Sequence, residues 1–413
     1  MKKHVILAAL ILVLLAVSVC FADDWPQFGG LNRDGRSAET GLLKKWPEGG
    51  PRLLWVVDGL GIGFSSVAVA DGYVYTTGIA GEDKEVVLFA YDVKGVFKWK
   101  ASCGRGWSGP HPGSRTTPTV DGDRVYVLSG YGNLTCFDAQ TGQKKWQVDT
   151  LKRFNGQNIK WGISESVLVV DDKVICTPGG TDACVAALDK ISGETKWASK
   201  GLSDRSAYCA PVLVERGGRK LVVTITAAHV VGIDAETGKV LWQYQNKLHK
   251  GEPREVNPNS PVHHNGGIYI TSRFVGGMKL RISPDGRNVS HVWTNESLDP
   301  HHGGVVLVNG YIYGANTKKG NWMCLDWDNG KTMYQKKWIG KGAIIYADGM
   351  LYCYEEKEGT VGLVSASPEG FDIVSSFKVP YGTAEHWAHP AISDGRLYVR
   401  HGDALMAYDI KQK

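Results

Sequence analysis

The sequence has no adjacent cysteine pair, no Cys-x-x-Cys and no Cys-x-x-Cys-His among its 8 cysteines. That excludes zinc knuckles, thioredoxin-type redox pairs and c-type haem attachment. Beyond Cys20, the cysteines are Cys103, Cys136, Cys176, Cys184, Cys209, Cys324 and Cys353, too widely spaced for a dense disulfide framework. Several fall inside apolar strand patterns and read as buried thiols. Cys176 and Cys184 are the pair that a hairpin would bring within disulfide reach. Charge of one sign is also lacking. Lys plus Arg is 47, Asp plus Glu is 42, and no basic stripe occurs, which argues against a nucleic-acid partner. No nucleophile elbow, phosphate loop or His-Glu helix motif appears. Past the first 20 residues no apolar run could span a bilayer.

The one long apolar run is at the start. Met1-Lys2-Lys3-His4 is basic, Val5 to Val19 is apolar, and Cys20-Phe21-Ala22 offers small residues where a signal peptidase reads. This pattern predicts a signal peptide over residues 1–22, export to the periplasm or the cell exterior, and a mature domain over 23–413. Cys20 could become an acylated first residue, but Val19 sits where lipoprotein signals place a small one.

What is abundant is glycine, 52 residues, and tryptophan, 14 residues, which suggests many tight turns and a repeated aromatic position. Self-alignment shows why. A unit of roughly 40 to 50 residues recurs: apolar strand, Asp-Gly-type turn, aromatic strand, apolar strand, Asp-x-x-Thr-Gly turn, then a strand containing Trp. The first turn appears at Asp71-Gly72, Asp121-Gly122, Asn265-Gly266, Asn309-Gly310, Asp348-Gly349 and Asp394-Gly395. Asp171-Asp172 and Gly217-Gly218 are variants of it. Such dipeptides suit two-residue hairpins, whose central residues take positive φ. The second turn appears at Asp92 to Gly95, Asp138 to Gly142, Asp189 to Gly193 and Asp234 to Gly238, followed by Trp99, Trp146, Trp197 and Trp242. Later copies are looser, ending in Trp293, Trp338 and Phe377.

Alternating strands with frequent turns and no helical periodicity predict an all-β fold. Four strands per unit and eight first turns predict an eight-bladed β-propeller of four-stranded antiparallel blades. The eighth copy ends after three strands. Its missing Trp strand is supplied by Leu53 to Val57, so the N-terminal strand closes the ring and removes the last open edge. Trp55, Trp99, Trp146, Trp197, Trp242, Trp293 and Trp338 then read as structural docking residues, each indole packed on the adjacent blade.

The Asp-x-x-Thr-Gly-x-x-x-Trp unit resembles the tryptophan-docking repeat of the quinoprotein alcohol dehydrogenase-like propellers, a superfamily that includes dehydrogenases dependent on pyrroloquinoline quinone (PQQ) and the outer-membrane assembly lipoprotein BamB. The opening Trp25-Pro26-Gln27-Phe28-Gly29-Gly30, with Asn32-Arg33-Asp34-Gly35, is similar to the start of secreted PQQ-repeat proteins. In the dehydrogenases the resemblance implies a cofactor over a Trp floor under vicinal cysteines, with calcium held by Glu, Asn and Asp and an Asp as base. The vicinal cysteines are missing here.

Loops leading into each innermost strand should line one face of the channel. They supply Arg115, Glu165, Tyr208, Asn259, His302, Lys341 and His389 as ligand-binding candidates, and no catalytic residue is assigned. Glu165 and Asn259, two blades apart, match the Glu and Asn of the dehydrogenases' calcium site and are the metal candidates. Without a metal, Glu165 should be balanced by Arg115 or Lys341 around a hydrated funnel. His301-His302 and His386/His389 lie on loops that could converge on zinc or copper. Three long loops, 101–116, 147–165 and 243–259, carrying Trp107 and Trp161, should form a rim. The leading expectation is a BamB-like binding or scaffold module, monomeric, without a cofactor, and with a protein, peptide or carbohydrate partner. The alternatives are a PQQ- and calcium-dependent oxidoreductase of an alcohol or sugar, and a carbohydrate-binding propeller.

Overall fold

The computed structural model describes residues 24–82, 84–249 and 256–412. The expected signal peptide and Cys20 lie outside them. Eight four-stranded antiparallel sheets follow one another in chain order, one for each sequence repeat. Besides the strands there are only two short helical turns, Thr150–Arg153 and Lys247–His249, among the described residues. No helix is long and apolar enough to cross a membrane.

Blade 1 shows the plan. Its strands Ala68–Ala70, Tyr73–Ala80, Glu85–Asp92 and Phe97–Arg105 run from the ring's centre to its rim. Inner strands are buried on both faces and read as continuous apolar runs, whereas rim strands alternate, as in the buried Trp99 between exposed Lys98 and Lys100. The first turn takes its predicted form: Ala70 pairs with Tyr73, and Asp71 and Gly72 have φ of 51° and 79°. Blade 2 departs from it, because Asp121 pairs with Arg124 and only Gly122 of the loop has positive φ.

Blade 8 is built from both ends of the ring. Arg52–Val57 pairs antiparallel with Ala404–Asp409, placing Trp55 opposite Ala407 and Val56 opposite Met406. The predicted closure is present, and the final sheet order is Arg52–Val57, Ala404–Asp409, Arg396–His401, Ala391–Ser393.

Five docking tryptophans share one geometry. The Nε1–H of Trp55, Trp99, Trp146, Trp197 and Trp293 donates to the carbonyl of Val93, Ala139, Lys190, Ala235 and Trp327. Each acceptor is the residue after the turn Asp of the next blade. Within that turn Asp138 Oδ1 accepts the Thr141 N–H at 3.0 Å and hydroxyl at 2.9 Å. These bonds and Lys145 hold its pKa down at about 2. Trp242 and Trp338 depart from the pattern. Trp242 Nε1 has no partner, since blade 5 carries Ser-Pro-Asp-Gly in place of the full turn, and the Ser283 carbonyl accepts from Arg216 Nε instead. Trp338 sits among Trp322 and Phe371.

The seven described cysteines are free and buried. Cys176 and Cys184 do not form the expected pair, because they lie in separate apolar clusters, Cys176 with Leu134 and Cys184 with Trp197.

Candidate functional site

Before it reaches its closing strand, the N-terminal segment crosses the centre of the ring. Trp25 exchanges backbone bonds with Val69 on the inner strand of blade 1, and Pro26 accepts from Val120 on that of blade 2. Arg33 donates to the Ser166 and Val167 carbonyls at blade 3. Arg36–Ser37 then pairs in parallel with the inner strand of blade 7, Gly342–Ala347. The channel is therefore plugged by the chain itself and is no open hydrated funnel. Gly35 shows how close the fit is: its φ is +74°, and a Cβ there would lie 2.8 Å from Val306 Cγ1 of blade 6.

Above the plug is a cavity of about 250 Å³. Its walls come from the stretches ahead of the inner strands of seven blades: Phe64, Arg115, Ser164, Tyr208, Pro258, His302 and Trp387 are one from each. The plug contributes Phe28, whose ring meets His389 edge-on at 4.9 Å. Trp387 gathers Phe64, His302 and His111 around it, with centroids 4.8, 5.1 and 5.3 Å away. Trp161 lies 6.0 Å from Tyr208.

Four of the seven candidates, Arg115, Tyr208, His302 and His389, line this cavity. Arg115 is fixed by the Gly113, Pro110 and His111 carbonyls, and burial lowers its pKa to about 10. Tyr208, with φ of 69°, accepts the Trp161 N–H through its hydroxyl at 3.1 Å. His389 Nε2 meets the His302 carbonyl at 2.7 Å, so that nitrogen carries the proton. Burial lowers the pKa of His301 to about 3 and pushes His302 and His389 down as well, leaving these imidazoles neutral at pH 7.

The other three stand behind the cavity wall. Lys341 pairs with Glu356, and burial followed by repulsion from Arg273 lowers its pKa to about 8. Asn259 is 2% exposed; its Nδ2 donates to the Thr271, Pro300 and His301 carbonyls, and its Oδ1 accepts from Gly304 N–H. Glu165 is fully buried. Its Oε2 accepts the Thr177 N–H at 3.0 Å and its Oε1 has no hydrogen-bond partner. Desolvation raises its pKa to about 8, opposed by the Thr177 bonds and by Arg33.

The counter-charge to Glu165 is therefore Arg33, in place of the expected Arg115 or Lys341. The same Arg33 lines a small void of about 40 Å³ with Asn259. The plug thus carries its own cation to a void that one of the two metal candidates, Asn259, lines and the other, Glu165, does not. With Asn259 Oδ1 already accepting the Gly304 N–H and Glu165 offering one unpaired oxygen, the two residues supply far fewer than the six to eight oxygens of a calcium shell. No cluster of three or more His, Cys, Asp or Glu suits a metal among the described residues. His386 does not join His301 and His302; it stacks on His401 at 3.7 Å and bonds the Tyr354 hydroxyl.

Sequence reasoning missed Arg273, Trp387, Phe28 and the role of Arg33. Arg273 follows the second strand of blade 5, Gly267–Ser272, and loops between second and third strands open on the same face as those leading into first strands. Its Nη1 donates to His301 Nε2 at 3.3 Å, and its Nε has no partner.

The sequence pattern of the family described as outer membrane protein assembly factor BamB matches residues 50–149 and 82–336. The chain belongs to this family. BamB of Burkholderia pseudomallei is 24% identical over 264 residues, 60% of this chain and 61% of that protein. Quinoprotein ethanol dehydrogenase of Pseudomonas aeruginosa is 25% identical over 142 residues, 32% of this chain and 22% of that protein. The chain thus spans between about a fifth and three fifths of these curated relatives. Among solved structures, quinohemoprotein alcohol dehydrogenase from Comamonas testosteroni superposes with a TM-score of 0.70 at 15% identity, covering 95% of this chain and 81% of the other. BamB from Moraxella catarrhalis superposes at 0.61 with 15% identity, covering 87% and 98%. At such identities the structural matches speak for the fold alone.

Proposed function

We propose that this chain is an exported, non-catalytic binding propeller of the BamB-like kind, acting as a monomer and taking its ligand or partner at the plugged mouth of the channel. The signal peptide would be residues 1–22 and the binding domain 23–413. One observation carries the reading. Glu165 and Asn259, the residues that metal-assisted quinone chemistry would need facing a ligand, are committed to the interior, Glu165 beside Arg33 and Asn259 on three carbonyls. The broader match to a BamB than to the dehydrogenases supports the same view.

The second reading, a PQQ- and calcium-dependent oxidoreductase of an alcohol or sugar, draws on the aromatic, arginine-bearing cavity on the ring axis and on the dehydrogenase matches. A carbohydrate-binding propeller, the third, draws on the indoles of Trp161 and Trp387. The deciding experiment adds PQQ and calcium to the purified protein and follows dye-linked alcohol oxidation and melting temperature. The binding-module reading expects no dye reduction and no calcium-dependent rise in melting temperature. Tight calcium-dependent PQQ binding, lost in Glu165→Gln, would replace it with the oxidoreductase.

A further inference from the structure

The cavity above the plug has a one-sided charge. Arg115 and Arg273 line it, and among its described lining residues there is no Asp or Glu. The acid that approaches from behind, Glu356, stands 3.6 Å from His302 Nε2 and is held by Lys341. Neither guanidinium is neutralised. Arg115 bonds only backbone carbonyls, while Arg273 lies over the Phe274 ring with one Nη on His301. One buried donor lacks a partner at this place, Arg273 Nε. A buried donor without an acceptor is costly, so an acceptor brought by a ligand would be stabilised here. The rest of the wall combines aromatic rings with neutral polar groups. Phe64, Trp387, Trp161 and Phe28 supply ring faces and edges, and Ser164, Ser166 and Thr117 supply the remaining small polar groups.

From this we infer that the cavity is a receptor for a small carboxylic acid with a flat apolar body, bound without a metal, the carboxylate meeting Arg273 and the body lying against Trp387. The inference rests on the binding-module reading and names its ligand class. Size is consistent with a compact ligand, since the cavity of about 250 Å³ is at the small end of ordinary ligand pockets. Charge complementarity excludes a cationic ligand. It also disfavours a neutral sugar, whose hydroxyl donors would find no side-chain carboxylate among the described lining residues. Arginine suits the role because its planar fork meets both oxygens of a carboxylate, and it stays charged at every working pH.

The test titrates the purified full-length protein with 1-naphthoate and, separately, with its neutral counterpart 1-naphthalenemethanol, in EDTA, following tryptophan fluorescence and calorimetric heat. The acid should bind at least about tenfold more tightly than the alcohol, a gap of about 1.4 kcal/mol. Arg273→Gln should abolish that preference and Arg273→Lys should keep most of it, with both variants melting like the parent. Trp387→Ala should weaken acid and alcohol together. Equal affinity for the two probes, no binding of either, or binding of the acid only after calcium is added would overturn the proposal. These outcomes are separable from the fate of the binding-module reading, which falls if PQQ binds tightly in a calcium-dependent way that Glu165→Gln abolishes.

Discussion

Gly238 of blade 4 lies against the indole of Trp197 of blade 3, so closely that a Cβ on Gly238 would come 2.7 Å from Trp197 Cδ2. The same relation joins Gly95 to Trp55 and Gly193 to Trp146, each at 2.8 Å. The repeated Gly therefore answers two demands: a φ of +75° or so for the turn, and a bare Cα for the neighbouring indole. Gly238→Ala should cost about 2–4 kcal/mol, combining overpacking with a disfavoured φ. Gly72→Ala, at φ +79° with nothing within 4 Å, should cost only about 1 kcal/mol. Urea denaturation of the two variants measures the difference, and equal losses would remove the close-approach argument.

Trp197 and Trp242 are both buried docking residues, but only Trp197 has an acceptor for its N–H, the Ala235 carbonyl at 3.0 Å. Replacement of either by Ala should cost about 3–5 kcal/mol. Replacement by Phe should separate them. Trp197→Phe strands a carbonyl and loses about 1 kcal/mol more than Trp242→Phe, which gives up no bond. Paired denaturation curves check this.

Glu165 sets a pH dependence whose sign can be stated. Its folded pKa, about 8, is above the ordinary value of 4.5, so the folded state binds the proton more tightly than the unfolded chain does. Its contribution is fully present below pH 4.5 and is lost as pH rises towards 8. Glu165→Gln should therefore gain stability relative to the parent across that interval and run parallel to it above pH 8. Denaturation midpoints taken between pH 5 and 9 would show it; a constant offset would mean that Glu165 is ionised throughout, paired with Arg33.

The seven described cysteines should be silent in the folded protein. All are buried and free, and burial raises the thiol pKa of Cys103 to about 12 and pushes those of Cys176 and Cys353 well above the ordinary thiol value. A thiol reagent such as DTNB should label none of them before denaturant is added, and dithiothreitol should leave the melting temperature unchanged. A drop in melting temperature on reduction would reveal a disulfide.

Removing residues 24–50 while retaining Arg52–Val57 should separate plug from closure. The ring keeps its final strand pair but loses the backbone pairings of Trp25 and Arg36–Ser37 and the Arg33 bonds to Ser166 and Val167, and a marked loss of stability is expected. Removing residues 24–58 should do worse and cause aggregation, because it also exposes the Ala404–Asp409 edge. Light scattering on both truncations distinguishes them; equal behaviour would mean that the closing strand adds nothing.

The ring was legible because its rules are local. Asp-Gly turns and the Gly-x-x-x-Trp spacing each act within a few residues, and repetition in register multiplies a weak signal. Arg115, Tyr208, His302 and His389 were legible by the same logic, since position relative to an inner strand fixes the face they reach. Arg273 was not, because it lies on the other loop type of that face, where the repeat has no marked residue. The plug was also invisible: Trp25 to Gly35 shows no strand alternation, and its partners Val69, Val120 and Ser166 are distant in sequence. For the same reason Glu165 seemed to face a ligand when it is buried behind the wall, within electrostatic reach of Arg33.

Arg52–Val57 lies ahead of the whole ring in sequence, yet its three sheet partners span residues 391 to 409. Blades 1 to 7 are each built from consecutive strands, while this strand pairs only with the last blade. Until it does, two sheet edges stay open, a state prone to pairing with other chains. The late step is a long-range one, and contacts of that kind are the slow ones in folding. A chain lacking residues 391–409 would have no partner for Arg52–Val57, so closure of the ring couples its two sequence-distant ends in one step.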